Sequence, residues 1–338
     1  MDFLSDNAAG VHPAVRAAME AAAPACAAGY DADPWSKRLD AAFSELFETD
    51  VRAFAVPSGT AANGLALAAC TPPWGGIYAH AQAHVEVDEA GAVPFFTHGA
   101  SHILVPGAHG KLTPEALEAA AARRRGDVHQ VQPAALTITN ATESGTSYSP
   151  DEVGALARWA KGRDLHVHMD GARFANAVVH HGCTPAQLSA AAGVDLLSFG
   201  CIKNGGLSAE AILVFNPHLA ETIPVRRKRA GMMPSKGRFA AAQLLALVEG
   251  GAWLDNARAA NAGAARLARA AAGRLLHPVE ANSLFLRLTA EERAGLRAMG
   301  FAFYDWELDG PEAARFVVRW DQDPQAIDAL AAALRALG

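Results

Sequence analysis

Three short stretches of the sequence carry residues whose types and order suit one kind of chemistry. The first, VPSGTAANGLAL, places Ser58, Gly59 and Thr60 between an apolar run and a helical pattern. A helix start of this kind points backbone N–H groups and hydroxyls at one spot, which is a common way to bind a phosphate. An ordinary N-capped helix after a tight turn has the same sequence, so this stretch alone leaves both interpretations open.

The second stretch, HVHMDGAR, puts two histidines and an aspartate on one side of a strand pattern. His166, His168 and Asp170 alternate with apolar residues, so a strand presents them on one face. Two imidazoles and a carboxylate can bind a metal ion, although Gly171 stands where metallohydrolases commonly have a further histidine. Alternatively, Asp170 holds a proton on a heterocyclic nitrogen while Arg173 presents a cationic fork, and the histidines are structural.

A lysine and a histidine follow two other apolar runs. Lys203 lies in SFGCIKNGG, at the end of a run where a buried ammonium is unfavourable. Its side chain either extends to water or is uncharged through a covalent bond. His84, in AQAHVEVDEAGA, can stack on an aromatic ligand or transfer protons, but surface and capping histidines are also common in such places.

In chain order, a phosphate-binding turn, an aspartate and a lysine match the needs of pyridoxal 5'-phosphate (PLP). This cofactor needs its phosphate bound, its ring nitrogen kept protonated by a carboxylate, and its aldehyde joined to a lysine as a Schiff base. Lys203 would then have no ammonium to bury. The combination favours a PLP enzyme over a zinc hydrolase that uses His166, His168 and Asp170, and we expect no metal in the site.

The composition is that of a globular enzyme and argues against several other classes. The chain has 338 residues, 51% of them hydrophobic, and a formal net charge of −6. An acidic balance with only short basic clusters argues against a nucleic-acid partner, and the lack of a long apolar run argues against a membrane partner. The four cysteines form no CxxC pair and the first residues include no apolar signal segment, so we expect a cytoplasmic protein.

Alternating strand and helix patterns surround these stretches. Seven β-rich runs separated mostly by helical patterns predict an α/β fold with a mainly parallel sheet wrapped by helices. The runs lie at 51–56, 77–80, 103–105, 135–139, 165–170, 195–200 and 211–215. Helices are predicted at 114–125 and 150–161, and one or two long helices within 235–274. Ligands of such sheets bind beyond the carboxyl ends of the strands, so the residues after each run are the site candidates.

The C-terminal part changes pattern. It carries strand patterns at 284–288, 301–307 and 315–320 and a closing helix at 324–337. We therefore divide the chain into an N-terminal segment (1–30), a large PLP-binding α/β domain (31–250), and a linking helix with a small C-terminal α+β domain (251–338).

The sequence resembles the L-threonine aldolase family of fold-type I PLP enzymes, especially the branch that includes phenylserine aldolases. The resemblance covers nearly the whole chain, and its most specific part is the order of SGT, HMDGAR and the lysine of SFGCIKNGG. It implies these cofactor contacts: the phosphate with Ser58, Gly59 and Thr60, the ring face with His84, the ring nitrogen with Asp170, and a Schiff base on Lys203.

The resemblance also implies how substrate and subunits are arranged. Ser5, Arg173 and Arg315 match the positions that bind the substrate carboxylate, with Arg173 also beside the cofactor. Tyr30 matches a tyrosine that reaches the site of a neighbouring subunit, so we expect a homodimer or homotetramer with shared active sites.

Two positions depart from the family pattern. Many members have a histidine near the substrate hydroxyl where this chain has Thr142 and Glu143. Glu143 is then either the base for the β-hydroxyl proton, if burial raises its pKa, or a plain solvated acid. Where many members have an arginine near the phosphate, this chain has Lys236, which either balances the phosphate charge or is a solvated residue at a helix start.

The activity that the resemblance implies is retro-aldol cleavage of L-β-hydroxy-α-amino acids, of the threonine, allo-threonine or phenylserine type, to glycine and an aldehyde. Aryl or other bulky β-substituents are expected to be cleaved at least about as efficiently as threonine. The alternatives are another fold-type I PLP enzyme, such as a β-eliminating lyase or an aminotransferase, and the metal-dependent hydrolase described above.

Overall fold

The computed structural model describes residues 1–337, and a seven-stranded sheet forms its centre. The strand order is β1-β7-β6-β5-β4-β2-β3. The bounds are β1 (Arg52–Val56), β2 (Gly75–His80), β3 (Ser101–Val105), β4 (Gln132–Thr139), β5 (His166–Gly171), β6 (Leu196–Phe199) and β7 (Glu210–Val214). All seven β-rich runs of the sequence are confirmed as strands, with ends that differ by a few residues.

Strand direction places the site candidates at one edge. β7 pairs antiparallel with both β1 and β6, and the remaining pairs of the sheet are parallel. β1 therefore runs in the same direction as the other five strands, and six carboxyl ends lie at the same edge. The prediction of a mainly parallel sheet is confirmed.

Helices cover both faces of this sheet. Their bounds are α1 (Pro13–Ala22), α2 (Leu39–Phe47), α3 (Gly59–Cys70), α4 (His84–Val87), α5 (Ala92–Thr97), α6 (Pro114–Ala122), α7 (Pro150–Lys161), α8 (Phe174–His181), α9 (Pro185–Leu188), α10 (Ile223–Arg229), α11 (Arg238–Val248) and α12 (Ala252–Ala270). The predicted region 235–274 is two helices, because Gly251 adopts a left-handed φ of 72° between them. α7 begins with a capping box formed by Ser149 and Glu152, as its sequence indicates.

Two apolar cores fix the sheet against the helices. On one face, Phe199 of β6 packs against Phe43 and Trp253, with ring centroids 5.3 and 5.4 Å apart. On the other face, buried residues of α3 such as Leu65 pack on the sheet. Each fully buried side chain of this size contributes about 1.5–3 kcal/mol, so the strand ends are held rigidly.

A smaller antiparallel sheet, in the order β8-β10-β9, forms the C-terminal domain. Its strands are β8 (Ser283–Arg287), β9 (Tyr304–Asp305) and β10 (Ala313–Val317), and its helices are α13 (Ala290–Ala298) and α14 (Pro324–Ala336). The prediction of a strand over 301–307 is wrong outside β9, because only two residues of this segment pair with β10. A 3-10 turn, Glu307–Asp309, follows instead.

The first residues of the chain pack on this smaller sheet. Phe3 is buried in its core and exchanges backbone hydrogen bonds with Ala302 and Val317. The domain boundaries at residues 30 and 250 stay a prediction. None of the helices within residues 1–337 combines the length and apolar character needed to cross a membrane.

Candidate active site

Lys203 lies in a short turn, Ile202–Asn204, directly after β6. The turn is fixed by Asn204, whose Nδ2 donates to the Trp253 carbonyl at 2.7 Å and whose carbonyl accepts from Asn256 Nδ2 at 2.9 Å. Burial, together with the nearby positive charge of Arg173, lowers the pKa of the Lys203 amine below its usual value. The side chain is therefore not the water-exposed lysine that the sequence also allowed.

A buried glutamate that sequence reasoning missed supports the same turn. Glu210, at the start of β7, accepts a hydrogen bond from the Cys201 backbone N–H at 2.5 Å. Burial raises the pKa of its carboxyl to about 7. The signal in the sequence was a single acid within the apolar run SAEAILV. A glutamate is rarely buried unless its carboxylate has a partner, so its presence in such a run indicates a specific role.

Asp170 is the next-to-last residue of β5, in register with Thr139 and Ser198 at the carboxyl edge of the sheet. One carboxylate oxygen accepts from Asn63 Nδ2 at 2.8 Å, and the other accepts from the Ala172 backbone N–H at 3.0 Å. The side chain is almost fully buried. A buried carboxylate held in this way is suited to keep a proton on a heterocyclic nitrogen.

The turn Ser58-Gly59-Thr60 begins α3 at the carboxyl end of β1. Ser58 caps the helix, since its Oγ accepts from the Ala61 backbone N–H at 3.2 Å. A Cβ added at Gly59 would meet no atom within 4 Å, so the start of the helix faces open space. Asn63, one turn further along α3, contacts Asp170, which ties the helix start to the site.

His84 begins α4 after β2 and is held by two carboxylates. Its backbone N–H donates to Glu143 Oε1 at 2.7 Å, and its ring Nδ1 lies 2.9 Å from Glu89 Oε1. Asn63 Nδ2 also donates to Glu89 Oε1, at 2.8 Å. The hydrogen bond with Glu89 raises the His84 pKa above its usual value. Glu89 and Asn63 are further site residues that sequence reasoning missed.

Glu143 is a half-buried acid that lines the cavity, rather than a solvated loop residue. Burial raises its pKa above the usual value of a glutamate. Its Oε2 is buried and has no hydrogen-bond partner among residues 1–337. A buried carboxylate oxygen of this kind is available to accept a proton from a bound molecule.

The two arginines of the site differ in whether their charge is neutralised by a carboxylate. Arg173, just after β5, makes a bidentate pair with Asp6, with Nε to Oδ2 at 2.7 Å and Nη2 to Oδ1 at 2.9 Å. Although burial opposes ionisation, this arginine holds the Asp6 pKa at about 2. Arg315 of β10 forms no ion pair within the described residues, and it stacks on Trp306 with 4.8 Å between Cζ and the ring centroid. Burial and the Arg173 charge lower the Arg315 pKa to about 10.

Several of these side chains line a cavity of about 780 Å³ between the sheet edge and the smaller domain. It is larger than the groove of about 270 Å³ between α3, α5 and α10. The predicted site residues that line the cavity are Ser5, His84, Glu143, Arg173, Lys203 and Arg315. The smaller domain adds the segment Tyr304, Asp305, Trp306, Glu307 and Leu308.

Six predicted residues do not line this cavity in the single chain: Ser58, Gly59, Thr60, Asp170, Tyr30 and Lys236. Asp170 lies beside the cavity, because a carboxylate oxygen of Asp170 is within 4.8 Å of the ligand atoms of His84 and Glu89. Tyr30 is 52% exposed, and Lys228 Nζ lies 4.0 Å from its ring centroid. Lys236 is exposed near the start of α11. Their roles at a subunit interface or at the phosphate stay predictions.

His166, His168 and Asp170 do not form the metal site that the sequence offered as an alternative. Both ring nitrogens of His168 are occupied, by Thr137 Oγ1 at 2.8 Å and Ser198 Oγ at 2.9 Å, and burial lowers its pKa to about 4. His166 instead lies beside Asp195, with 3.8 Å between Nδ1 and Oδ2. Within residues 1–337 the ligand atoms of these histidines do not gather with that of Asp170.

The donors at the sheet edge fit PLP. A helix start facing open space suits its phosphate, buried Asp170 suits its ring nitrogen, and Lys203, with its lowered pKa, suits its aldehyde. The fold and this site are those of the fold-type I class of PLP enzymes.

Comparison with known proteins gives the family. The sequence profile described as "Beta-eliminating lyase" matches residues 2–291. The chain is 44% identical to the low specificity L-threonine aldolase of Pseudomonas aeruginosa, over 98% of this chain and 96% of that protein. It is 42% identical to the low specificity L-threonine aldolase of Pseudomonas sp. strain NCIMB 10558, over 99% and 97%. The solved structure of Leishmania major threonine aldolase has a TM-score of 0.93 at 27% identity and covers 99% of each chain.

The chain therefore belongs to the beta-eliminating lyase family and, within it, to the threonine aldolase group. The resemblance seen in the sequence motifs is confirmed.

Proposed function

We propose that this protein is a PLP-dependent aldolase that cleaves L-β-hydroxy-α-amino acids, including L-threonine, to glycine and an aldehyde. The observation that carries the proposal is the convergence of half-buried Lys203, buried Asp170 and the free start of α3 at one sheet edge. The close similarity to low specificity L-threonine aldolases supports the reaction type.

The cofactor is held by residues at that edge. Ser58, Gly59 and Thr60 bind the phosphate with backbone N–H groups at the positive end of α3. Lys203 would hold the cofactor's aldehyde group, because its lowered pKa favours the uncharged amine. When bound, PLP would supply an electron-withdrawing ring beside the substrate's α-carbon, and Asp170 would keep the nitrogen of that ring protonated.

The substrate carboxylate is bound by the cavity's arginines. Arg315 carries positive charge without a carboxylate partner among residues 1–337, so its guanidinium is free to form a bidentate pair. Arg173 keeps a fixed orientation through Asp6, and Ser5 adds a hydroxyl beside it. Fixing the carboxylate sets the direction of the Cα–Cβ bond that breaks.

Glu143 takes the proton of the β-hydroxyl group at Oε2. Its burial, raised pKa and unpartnered oxygen support this role. Because a raised pKa brings a carboxylate closer to the pH of the medium, the acid can accept a proton in one step and release it in the next.

The outer part of the cavity suits bulky β-substituents. Val87, Tyr304 and Leu308 line it and are 40, 46 and 53% exposed, and Trp306 lies beside them. An aryl substituent would cover this apolar surface, at about 25 cal/mol for each Å² removed from water. We therefore propose that L-phenylserine is cleaved with a kcat/KM at least comparable to that for L-threonine.

We also propose that active sites are shared between subunits of a homodimer or homotetramer in the cytoplasm. The exposure of Tyr30 and Lys236 outside their own cavity supports a contact with a neighbouring subunit. Crosslinking through a cysteine at residue 30 would test whether this position lies at an interface.

A product assay tests the function. The purified protein with PLP and L-threonine should release glycine and acetaldehyde, and with L-phenylserine it should release glycine and benzaldehyde. The family profile also matches β-eliminating lyases, which would release ammonia and a 2-oxo acid instead. Formation of the 2-oxo acid without glycine would replace the aldolase proposal, and a strong preference for threonine would contradict the substrate claim.

A further inference from the structure

His84 is fixed in the cavity at two atoms. Its backbone N–H donates to Glu143 Oε1, and its ring Nδ1 lies 2.9 Å from Glu89 Oε1. The contact with Glu89 fixes the orientation of the ring, and the contact with Glu143 fixes the backbone that carries it. The side chain is still 37% exposed and lines the cavity, so part of the ring faces the cavity.

Glu89 is itself held in place by Asn63. The Glu89 side chain is fully buried, and Asn63 Nδ2 donates both to Glu89 Oε1 and to Asp170 Oδ2, each at 2.8 Å. Glu89 Oε1 already accepts the hydrogen bond from Asn63 Nδ2, so it is an acceptor atom and the proton between the ring and Glu89 belongs to His84 Nδ1. Nε2 is then the ring nitrogen that remains for the cavity.

The charges around His84 favour its protonated form. The hydrogen bond with Glu89 raises its pKa most, and the Asp170 carboxylate raises it further. Burial and the positive charge of Lys203 act in the opposite direction. Glu143 faces the backbone of His84 from the loop after β4. Removing the Glu89 carboxylate should therefore lower the His84 pKa more than removing any other of these groups.

We propose that Glu89 is a positioning residue that keeps His84 protonated, with Nδ1–H directed at the Glu89 carboxylate and Nε2–H directed into the cavity as a hydrogen-bond donor for the substrate's β-oxygen. This role rests on the proposed function, because it is Glu143, bonded to the same histidine, that takes the proton from that oxygen. Charge that develops on the oxygen is stabilised by a donor already in position.

The experiment uses Glu89→Gln, which keeps the shape of the side chain but removes its charge. Glu86→Gln is a matched control, because Glu86 lies in α4, pairs with His102 Nδ1 at 2.6 Å, and forms no side-chain hydrogen bond with His84 within the described residues. Glu89→Asp keeps the charge and checks for rescue. Ring-proton NMR of the protein without cofactor follows His84, identified among the 13 histidines by the signal lost in His84→Asn.

The titration should show His84 losing its proton at lower pH in Glu89→Gln than in the parent, with an unchanged midpoint in Glu86→Gln. An unchanged His84 midpoint in Glu89→Gln would overturn the proposal, whatever the activity. This readout does not depend on which reaction the enzyme catalyses, so it fails or succeeds separately from the proposed function.

The activity measurement then links the pair to catalysis. We expect kcat for L-threonine cleavage to fall about 10- to 100-fold in Glu89→Gln, with KM changed by less than about threefold. The basic limb of the kcat profile should move to lower pH, since His84 loses its proton earlier, and Glu89→Asp should recover part of the rate. A parent enzyme that cleaves threonine and a Glu89→Gln variant with the same pH profile would contradict the role.

Discussion

Replacing Arg315 by alanine should weaken substrate binding and slow cleavage at the same time. The guanidinium lines the cavity, lacks a carboxylate partner within the described residues, and is supported by stacking on Trp306. A carboxylate bound at two nitrogens makes two charge-assisted hydrogen bonds, each worth about 1.5–3 kcal/mol. The burial that lowers the Arg315 pKa to about 10 shows that part of the desolvation cost is already present without substrate.

We therefore expect a loss of about 3 kcal/mol of transition-state stabilisation, the lower limit for two such bonds. This corresponds to a decrease of about 150-fold in kcat/KM. Arg315→Lys keeps the charge but loses the planar fork, and about a tenfold loss is expected. The assay is initial-rate aldehyde release over a range of L-threonine concentrations, with kcat and KM determined separately.

Arg319 provides the matched control. It lies beyond β10, where its Nε donates to Asp321 Oδ1 at 3.0 Å and its Nη1 lies 3.7 Å from Asp2 Oδ2. Its charge is already neutralised, so Arg319→Ala should change kcat/KM by less than about threefold. Equal losses in the two variants, or a larger loss for Arg319→Ala, would show that the carboxylate is not bound by Arg315.

Three further variants test other parts of the site. Asp170→Asn should still bind PLP, seen by absorbance, but should lower kcat about 100-fold or more because a neutral amide does not hold the ring-nitrogen proton. Glu143→Gln should lower kcat about 10- to 100-fold without lowering PLP affinity. The acid limb of the parent's kcat–pH profile should lie above the usual glutamate range, because burial raises the Glu143 pKa. An equally active variant would return the base role to His84 or to water. Asp6, whose pKa falls from 3.8 to about 2 beside Arg173, should stabilise the fold by roughly 2 kcal/mol above about pH 4. That stability should disappear as the pH falls through 2, and urea unfolding of the parent and Asp6→Asn at pH 7 and at low pH would detect it.

Much of the fold followed from the sequence because its strands are short apolar runs between clear helix signals. The runs that became β2, β5, β6 and β7 are almost entirely buried on both faces, and such strands need continuous hydrophobic residues. The antiparallel direction of β7 was not predictable, because direction depends on the length and path of the connection before it. The predicted strand over 301–307 was too long, because only Tyr304 and Asp305 pair with β10 and Trp306 lines the cavity instead of continuing the sheet.

The sequence indicated some of the side chains at this sheet edge and missed others that hold them in place. Lys203, Asp170 and His84 were singled out because lysine, aspartate and histidine at strand ends have a direct chemical meaning, and their roles stay predictions. Asp6 was missed because its partner, Arg173, is distant along the chain. Glu89 was missed because its partner, His84, belongs to the preceding helical turn. A pairing of buried charges becomes visible only when the fold brings the partners together.

The central claim is that Lys203 carries the cofactor in an aldolase. The direct measurement is borohydride reduction of the PLP-loaded protein followed by peptide mass spectrometry, together with threonine cleavage by the parent and by Lys203→Ala. We expect the reduced cofactor's mass on the peptide that contains Lys203, and a loss of turnover of at least about a thousandfold in a variant that stays folded. Cofactor attached at another lysine, or near-normal cleavage by Lys203→Ala without added amine, would contradict the account.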